Sequence, residues 1–226
     1  MNKELIKRTV TSFFLIILLS LVFFYSYILL ISLVIISLIA WIEFNGLISK
    51  IFLQKNLKTR STLSLFKIIS LLYLILFSVF IFIGINQEEP NFKLHMVYLF
   101  SICICSDIGG LIFGKIFKGK KLTKISPNKT ISGSLGSFVL SASLIPIFYY
   151  IIEQFNNLLH LIILSIIVSL SCQLGDLLVS FLKRKAKVKD TGDLLPGHGG
   201  VLDRIDGILF AMPVGILLWK FLIITI

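Results

Sequence analysis

Charge is what this chain has least of. Only 15% of its 226 residues are Asp, Glu, Lys or Arg, and just 11 are acidic. A soluble fold so poor in charge could not cover its own surface, and a disordered chain needs the opposite composition. Cysteine is equally scarce. Cys103, Cys105 and Cys172 lie inside apolar runs, without metal-type spacing to one another or to histidine, which argues against both a disulfide framework and a zinc site. They read as small buried side chains. There is no repeat of fixed period, no low-complexity tract and no inverted symmetry between the halves, which speaks against a transporter. What fills the chain instead is 57% hydrophobic residues, against roughly 45–50% in soluble domains. Its mean hydropathy of +0.99 makes the bilayer the solvent and excludes an ordinary globular enzyme.

A helix needs about 20 apolar residues to cross a hydrocarbon core. Such runs predict spans near 64–84, 94–114, 133–152, 158–182 and 206–225. From Val10 to Ile42 there are 33 uncharged residues with no Gly or Pro, about 50 Å as one helix, which overshoots the core even with tilt. A split near Tyr25-Ser26-Tyr27 resolves this, giving seven spans. It also leaves 20 of the 22 Lys and Arg on one side, with only Lys93 and Lys220 on the other, so that side is cytoplasmic by the positive-inside rule. The net charge of +11 therefore marks topology rather than nucleic-acid binding. The first run is too long for a signal peptide and no small-residue cleavage site follows it, so it is expected to stay in the mature protein. The expected fold is an all-α integral membrane protein of about seven transmembrane helices with a polar funnel facing the cytoplasm. It forms one membrane domain over 1–226, with N-terminal spans in 1–93 and a catalytic region in 94–226.

Five acids, Asp176, Asp190, Asp193, Asp203 and Asp206, crowd into the last third, among Lys183, Arg184, Lys185, Lys187, Lys189 and Arg204. The stretch 175–207, GDLLVSFLKRKAKVKDTGDLLPGHGGVLDRIDG, is the one region where charge, Gly, Pro and His coincide. Asp176 follows a long apolar run, where an ionised carboxylate costs about 2.5–3.5 kcal/mol near the membrane centre and is functional by default. Ser180 and Lys183, four and seven residues on, share its helical face. Asp203 and Asp206 are neighbours on one face if they open the last helix, where the dipole favours carboxylates. Helix capping alone is the other reading of that pair, and it suits Asp206 better than Asp203.

Three carboxylates without thiolates or clustered imidazoles form a hard oxygen site, suited to Mg²⁺ completed by substrate phosphates. Gly197, Gly199 and Gly200 let backbone N–H groups approach an anion, and the cations supply charge. Together these point to phosphoryl or nucleotidyl transfer. His198, between glycines, reads first as a hydrogen-bonding loop residue, and Lys185 and Lys187 read equally as positive-inside anchors. A second polar island runs from Asp107 to Ser134. Its GGLIFGK, Gly109 to Lys115, approaches a P-loop, but Ile116 stands where Ser or Thr is required and no strand precedes it. Gly109, Gly110 and Gly114 suit close helix packing. Ser126-Pro127-Asn128-Lys129-Thr130 reads as a turn into the next helix, whose N-terminus suits an anion. Lys129 there is a phosphate ligand or a surface anchor.

Ser180, Lys183, Arg184, Lys189, Asp190, Pro196, His198, Gly199, Gly200, Asp203, Arg204 and Asp206 match at the expected spacings the signature of the phosphatidate cytidylyltransferases, the CDP-diacylglycerol synthases. Gly175-Asp176 and residues 126–130 also resemble segments of that family, so the likeness covers roughly 105–213. The chain departs from the pattern at Ser132, where the family commonly has Glu, and at Leu111, often an aromatic. The resemblance implies transfer of a cytidylyl group from CTP to phosphatidate in the bilayer, giving CDP-diacylglycerol and pyrophosphate. It implies Asp176 and Asp203 as Mg²⁺ carboxylates with Asp206 nearby in the signature, and a second cation such as K⁺ with Ser180 close by. Lys183, Lys189, Arg204 and the Gly199-Gly200 backbone would hold triphosphate, with Lys129 assisting and Arg184, Asp190 and His198 binding substrate. It also implies a homodimer, embedded among membrane lipids in the inner membrane, with its active site on the cytoplasmic side. The competing readings are a CTP-dependent lipid or polyprenol kinase and an ion or phosphate transporter.

Overall fold

The structure is a computed structural model that describes residues 13–14, 17–18, 20–54, 60–87, 90–123, 125–126, 129–151, 158–194 and 199–224. Its described elements are helices: α1 Ser26–Gln54, α2 Arg60–Asn86, α3 Pro90–Phe117, α4 Ile131–Ala142, α5 Ile145–Ile151, α6 Leu158–Lys185 and α7 Leu202–Ile224. An isolated bridge between Lys121 and Thr130 is the one β-type pairing reported among the described residues. Six spans, counting α4 and α5 as one, are long and apolar enough to cross a membrane. The chain is an all-α polytopic membrane protein. The seventh expected span, the first in sequence, falls partly on residues outside the description.

The chain divides into two compact units, residues 1–86 with 182–205, and residues 87–181 with 206–226. In the first unit, helical residues run to Phe24 and α1 begins at Ser26, so the expected break near Tyr25 is present. Leu18 lines a cavity of about 340 Å³ together with Ile28, Ile31 and Ile35. A straight helix would hold Leu18 and Ile35 about 25 Å apart, so the chain reverses at Tyr25. Helices α1 and α2 then form an antiparallel hairpin. Ser26 donates to Asn86, the hydroxyls of Ser37 and Ser78 meet at 2.6 Å, and Trp41 Nε1 donates to the Lys67 carbonyl at 3.0 Å. Apolar packing drives little association inside lipid, so small side chains and inter-helix hydrogen bonds carry such contacts.

The second unit is held by the same two devices. Tyr98 Oη and Ser165 Oγ lie 2.6 Å apart, and Ser106 and Ser169 bond at 3.0 Å, joining α3 to α6. Glycines bring α3 and α4 into backbone contact: a Cβ on Gly109 would fall 2.4 Å from the Gly136 carbonyl oxygen, and one on Gly136 would fall 2.3 Å from Phe113 Cβ. Gly175 and Gly207 do the same for α6 and α7, facing the Asp206 carbonyl and Cys172 Sγ at 2.6 and 2.5 Å. The fifth expected span, 133–152, is not one continuous helix. It breaks after Ala142, because Pro146 has no N–H to give to the carbonyl four residues back. Ser143 closes α4, its hydroxyl donating to the Leu140 carbonyl at 2.7 Å.

Gly109→Ala or Gly136→Ala forces backbone or an aromatic ring aside and is expected to destabilise the protein by about 1–3 kcal/mol. Gly46→Ala meets nothing within 4 Å and should be neutral or slightly stabilising. Thermal unfolding of the detergent-solubilised variants checks both; equal melting temperatures for all three would contradict the packing.

Candidate active site

In the second unit, Lys129 leads into α4 and its ammonium pairs with Asp176 Oδ2 on α6. Asp176 Oδ1 accepts from Ser180, one turn further along α6, at 3.3 Å. The two ionic side chains remain 25% and 33% exposed, so the pair is not sealed inside the protein. The loop before α4 is what presents the lysine. Leu122 N–H donates to the Lys129 carbonyl at 2.8 Å and Ile131 N–H to the Lys120 carbonyl at 3.0 Å, closing a two-stranded turn. Thr130 caps α4, accepting from Gly133 N–H at 3.1 Å. Ser132 donates to the Lys118 carbonyl and lies 3.0 Å from the Thr130 hydroxyl. Where the resemblance leads one to expect Glu, this chain therefore has a hydroxyl that ties the loop to its own helix.

In the first unit, α6 ends and the signature loop begins. The end is a Schellman turn: Val188 N–H donates to the Lys183 carbonyl at 3.0 Å and Lys187 N–H to the Arg184 carbonyl at 3.2 Å. Lys187 takes the left-handed position, φ 55°, normally given to glycine. Lys183 meets Asp203 Oδ1 at 2.6 Å, their side chains 16% and 8% exposed. Asp203 Oδ2 takes three further donors: Thr191 N–H at 2.8 Å, the Thr191 hydroxyl at 3.0 Å and Gly200 N–H at 3.2 Å. A carboxylate this enclosed is held because four donors converge on it, one at Oδ1 and three at Oδ2.

Helix capping was expected to suit Asp206 better than Asp203, but Asp203 accepts from N–H groups that precede α7, and Asp206 lies a turn inside it. Asp203 lies in the first turn of α7 and accepts from the backbone before it. Asp206, one turn later, is buried and accepts from its own neighbour, Gly207 N–H, at 2.9 Å. The capping positions end with the first turn, which leaves Asp206 too deep for that role.

Arg184, Lys189, Asp190 and Arg204 are exposed, while Gly199 is partly buried and Gly200 fully so. Gly199 has φ +84°, and a Cβ there would sit 3.4 Å from Asp190 Cβ, which places Asp190 beside it. Gly200 N–H, an expected phosphate donor, is engaged by Asp203. His198 and Gly197 lie outside the described residues. No group of three His, Cys, Asp or Glu side chains among the described residues gathers into a metal cage.

Sequence reasoning missed Glu43 and Thr191. Glu43, on α1, is 8% exposed. It accepts from Val201 N–H at 3.0 Å, Leu202 N–H at 2.8 Å and the Thr191 hydroxyl at 2.8 Å. The available signal was that Glu43 is the first charge after the uncharged run that ends at Ile42, where it served only as a span boundary.

A family model described as "Cytidylyltransferase family" matches residues 2–222. The chain belongs to the cytidylyltransferase family. Among curated proteins it is 45% identical over 137 residues to the phosphatidate cytidylyltransferase of Rickettsia felis, covering 58% of this chain and 60% of that one. It is 45% identical over 141 residues to the protein of that name from Rickettsia typhi, with the same coverage. It is 41% identical over 122 residues to that of Bacillus subtilis, covering 52% of this chain and 45% of the relative. The chain thus spans about three fifths or less of the length of the curated relatives it matches.

In this chain, Lys187→Gly relieves a left-handed lysine at the end of α6 and should stabilise the protein by up to about 1 kcal/mol, whereas Lys187→Val should destabilise it by a similar amount or more. Chemical denaturation in detergent reads both. A destabilising glycine would show that the Schellman turn does not form.

Proposed function

We propose that the protein transfers the cytidylyl group of CTP to phosphatidate, releasing pyrophosphate, at the cytoplasmic face of the inner membrane. The observation that carries this reading is that the acids singled out in the signature are held as carboxylate–ammonium pairs, Asp176 with Lys129 and Asp203 with Lys183, in a chain that belongs to the cytidylyltransferase family. The names of its relatives supply the substrates.

In the reaction, an oxygen of the lipid phosphate attacks the α-phosphorus of CTP, the bond from that phosphorus to the α,β-bridging oxygen breaks, and pyrophosphate leaves with the electron pair. The nucleophile is already anionic at neutral pH, so the main obstacle is repulsion between two polyanions rather than proton removal. Lys183, Lys189 and Arg204 draw in the triphosphate, and Lys129 draws in phosphate from its place at the α4 N-terminus, where the helix dipole adds to its charge. One substrate is dissolved in lipid and the other in cytosol, which is why the chemistry belongs at the end of transmembrane helices.

The donors present fit Mg²⁺. Carboxylate and hydroxyl oxygens are hard ligands, and Mg²⁺ commonly takes one or two protein carboxylates and completes its shell with water and phosphate. Asp176 and Asp203 are the proposed carboxylates, with Asp206 in support and Ser180 beside Asp176 for a second cation such as K⁺. When bound, Mg²⁺ neutralises charge on the triphosphate and on the departing pyrophosphate.

Purified protein in phosphatidate vesicles, given labelled CTP and Mg²⁺, should yield CDP-diacylglycerol and pyrophosphate in equal amounts. Asp176→Asn and Asp203→Asn should each lower kcat/KM by about 10²-fold or more. Release of CDP with a phosphorylated lipid would instead make the protein a kinase. Full activity in chelator, or in both variants, would overturn the metal assignment.

A further inference from the structure

Helix α7 starts badly by its own sequence. The residue preceding it is Val201, and an apolar β-branched side chain cannot accept from the exposed N–H groups of a first turn. The missing acceptor comes from a helix distant in sequence. Glu43 Oε1 takes Val201 N–H and Oε2 takes Leu202 N–H, across 158 and 159 residues of sequence. A buried carboxylate at the positive end of a helix is favourably placed, so the arrangement satisfies both partners.

Glu43 does more than cap. Its Oε2 lies 2.8 Å from the Thr191 hydroxyl, and that hydroxyl lies 3.0 Å from Asp203 Oδ2. Thr191 therefore stands between two carboxylates, and its backbone N–H is also given to Asp203. The loop is shaped around Glu43 at close range. A Cβ on Gly192 would fall 2.6 Å from Glu43 Oε1, with its three nearest atoms all belonging to Glu43; one on Gly200 would fall 2.5 Å from Glu43 Oε2 and 2.1 Å from Thr191 Oγ1. These two glycines are small because Glu43 occupies the space, a reason separate from any contact with phosphate.

We infer that Glu43 is a positioning residue for cytidylyl transfer. Its hydrogen bonds go to the loop and to the start of α7. By gripping residues 191–192 and 200–202 at once, it fixes the backbone from which Thr191 and Gly200 orient Asp203 toward Lys183. The inference rests on the proposed activity, in that Asp203 is taken there as a working carboxylate.

The test compares wild type with Glu43→Gln, which keeps the size but offers one oxygen and presents an N–H₂ group to a donor. Activity is measured in phosphatidate vesicles with CTP and Mg²⁺, and amide hydrogen exchange is followed over residues 199–204. Glu43→Gln should lower kcat about 10–100-fold and leave KM for phosphatidate within about twofold. The amides of Val201 and Leu202 should exchange at least about tenfold faster, while those in α3 and the middle of α6 keep their protection. Gly192→Ala should lower kcat in wild type but add nothing in Glu43→Ala, since its obstacle is then gone. If Glu43→Gln fails to fold, Thr191→Val carries the kinetic test by removing only the hydroxyl between the carboxylates. Wild-type kcat in a folded Glu43→Gln protein, or reduced kcat with unchanged exchange at 201–202, overturns the inference. A wild-type protein that consumes no CTP overturns the proposed activity instead, and the exchange measurement still reads the clamp.

Discussion

A carboxylate in a protein this apolar needs donors around it, and that requirement shapes the surroundings of its acids within each unit. Asp203 is met by an ammonium, two backbone N–H groups and a hydroxyl. Glu43 is met by two backbone N–H groups and shares with Asp203 the single proton of the Thr191 hydroxyl, and Asp176 is met by an ammonium and a hydroxyl. Breaking a buried pair by removing one member costs more than the pair contributes, because the remaining charge is stranded. The same donors hold these carboxylates in place.

Small residues follow from this. In the second unit glycines let helices meet backbone to backbone, Gly109 and Gly136 among them. In the signature loop they make room for carboxylates, Gly192 and Gly200 for Glu43 and Gly199 for Asp203 and Asp190. Glycine in a phosphate-handling loop is commonly credited to close approach of an anion. Here the anions nearest these three positions are the protein's own.

The spans were legible because apolar length is set by the thickness of the bilayer. The break at Tyr25 was legible because the uncharged run is too long for one span and because a single unsplit helix would have set the Lys50 to Arg60 segment apart from the remaining cations. Pro146 marks the break between α4 and α5, but a hydropathy run conceals it. The end of α6 carried no signal because Lys187 occupies a site where glycine would have announced it. Asp176, Lys183 and Asp203 were visible as charges in an apolar chain, but their pairings were not. The bond from Glu43 to Leu202 joins positions 159 apart, and neither spacing nor periodicity encodes a contact of that kind. The capping reading weighed for Asp203 and Asp206 missed the same contact, since Glu43 already takes the N–H groups of Val201 and Leu202.

The central claim is that the signature acids gather a divalent cation on which CTP is handled. The most direct measurement is anomalous scattering from Mn²⁺ in crystals of the protein grown in lipid with CTP. The account predicts a peak about 2.1 Å from a carboxylate oxygen of Asp176 or Asp203, with triphosphate oxygens in its shell. A triphosphate bound with no ion at either carboxylate, or an ion held only by residues elsewhere, would contradict it.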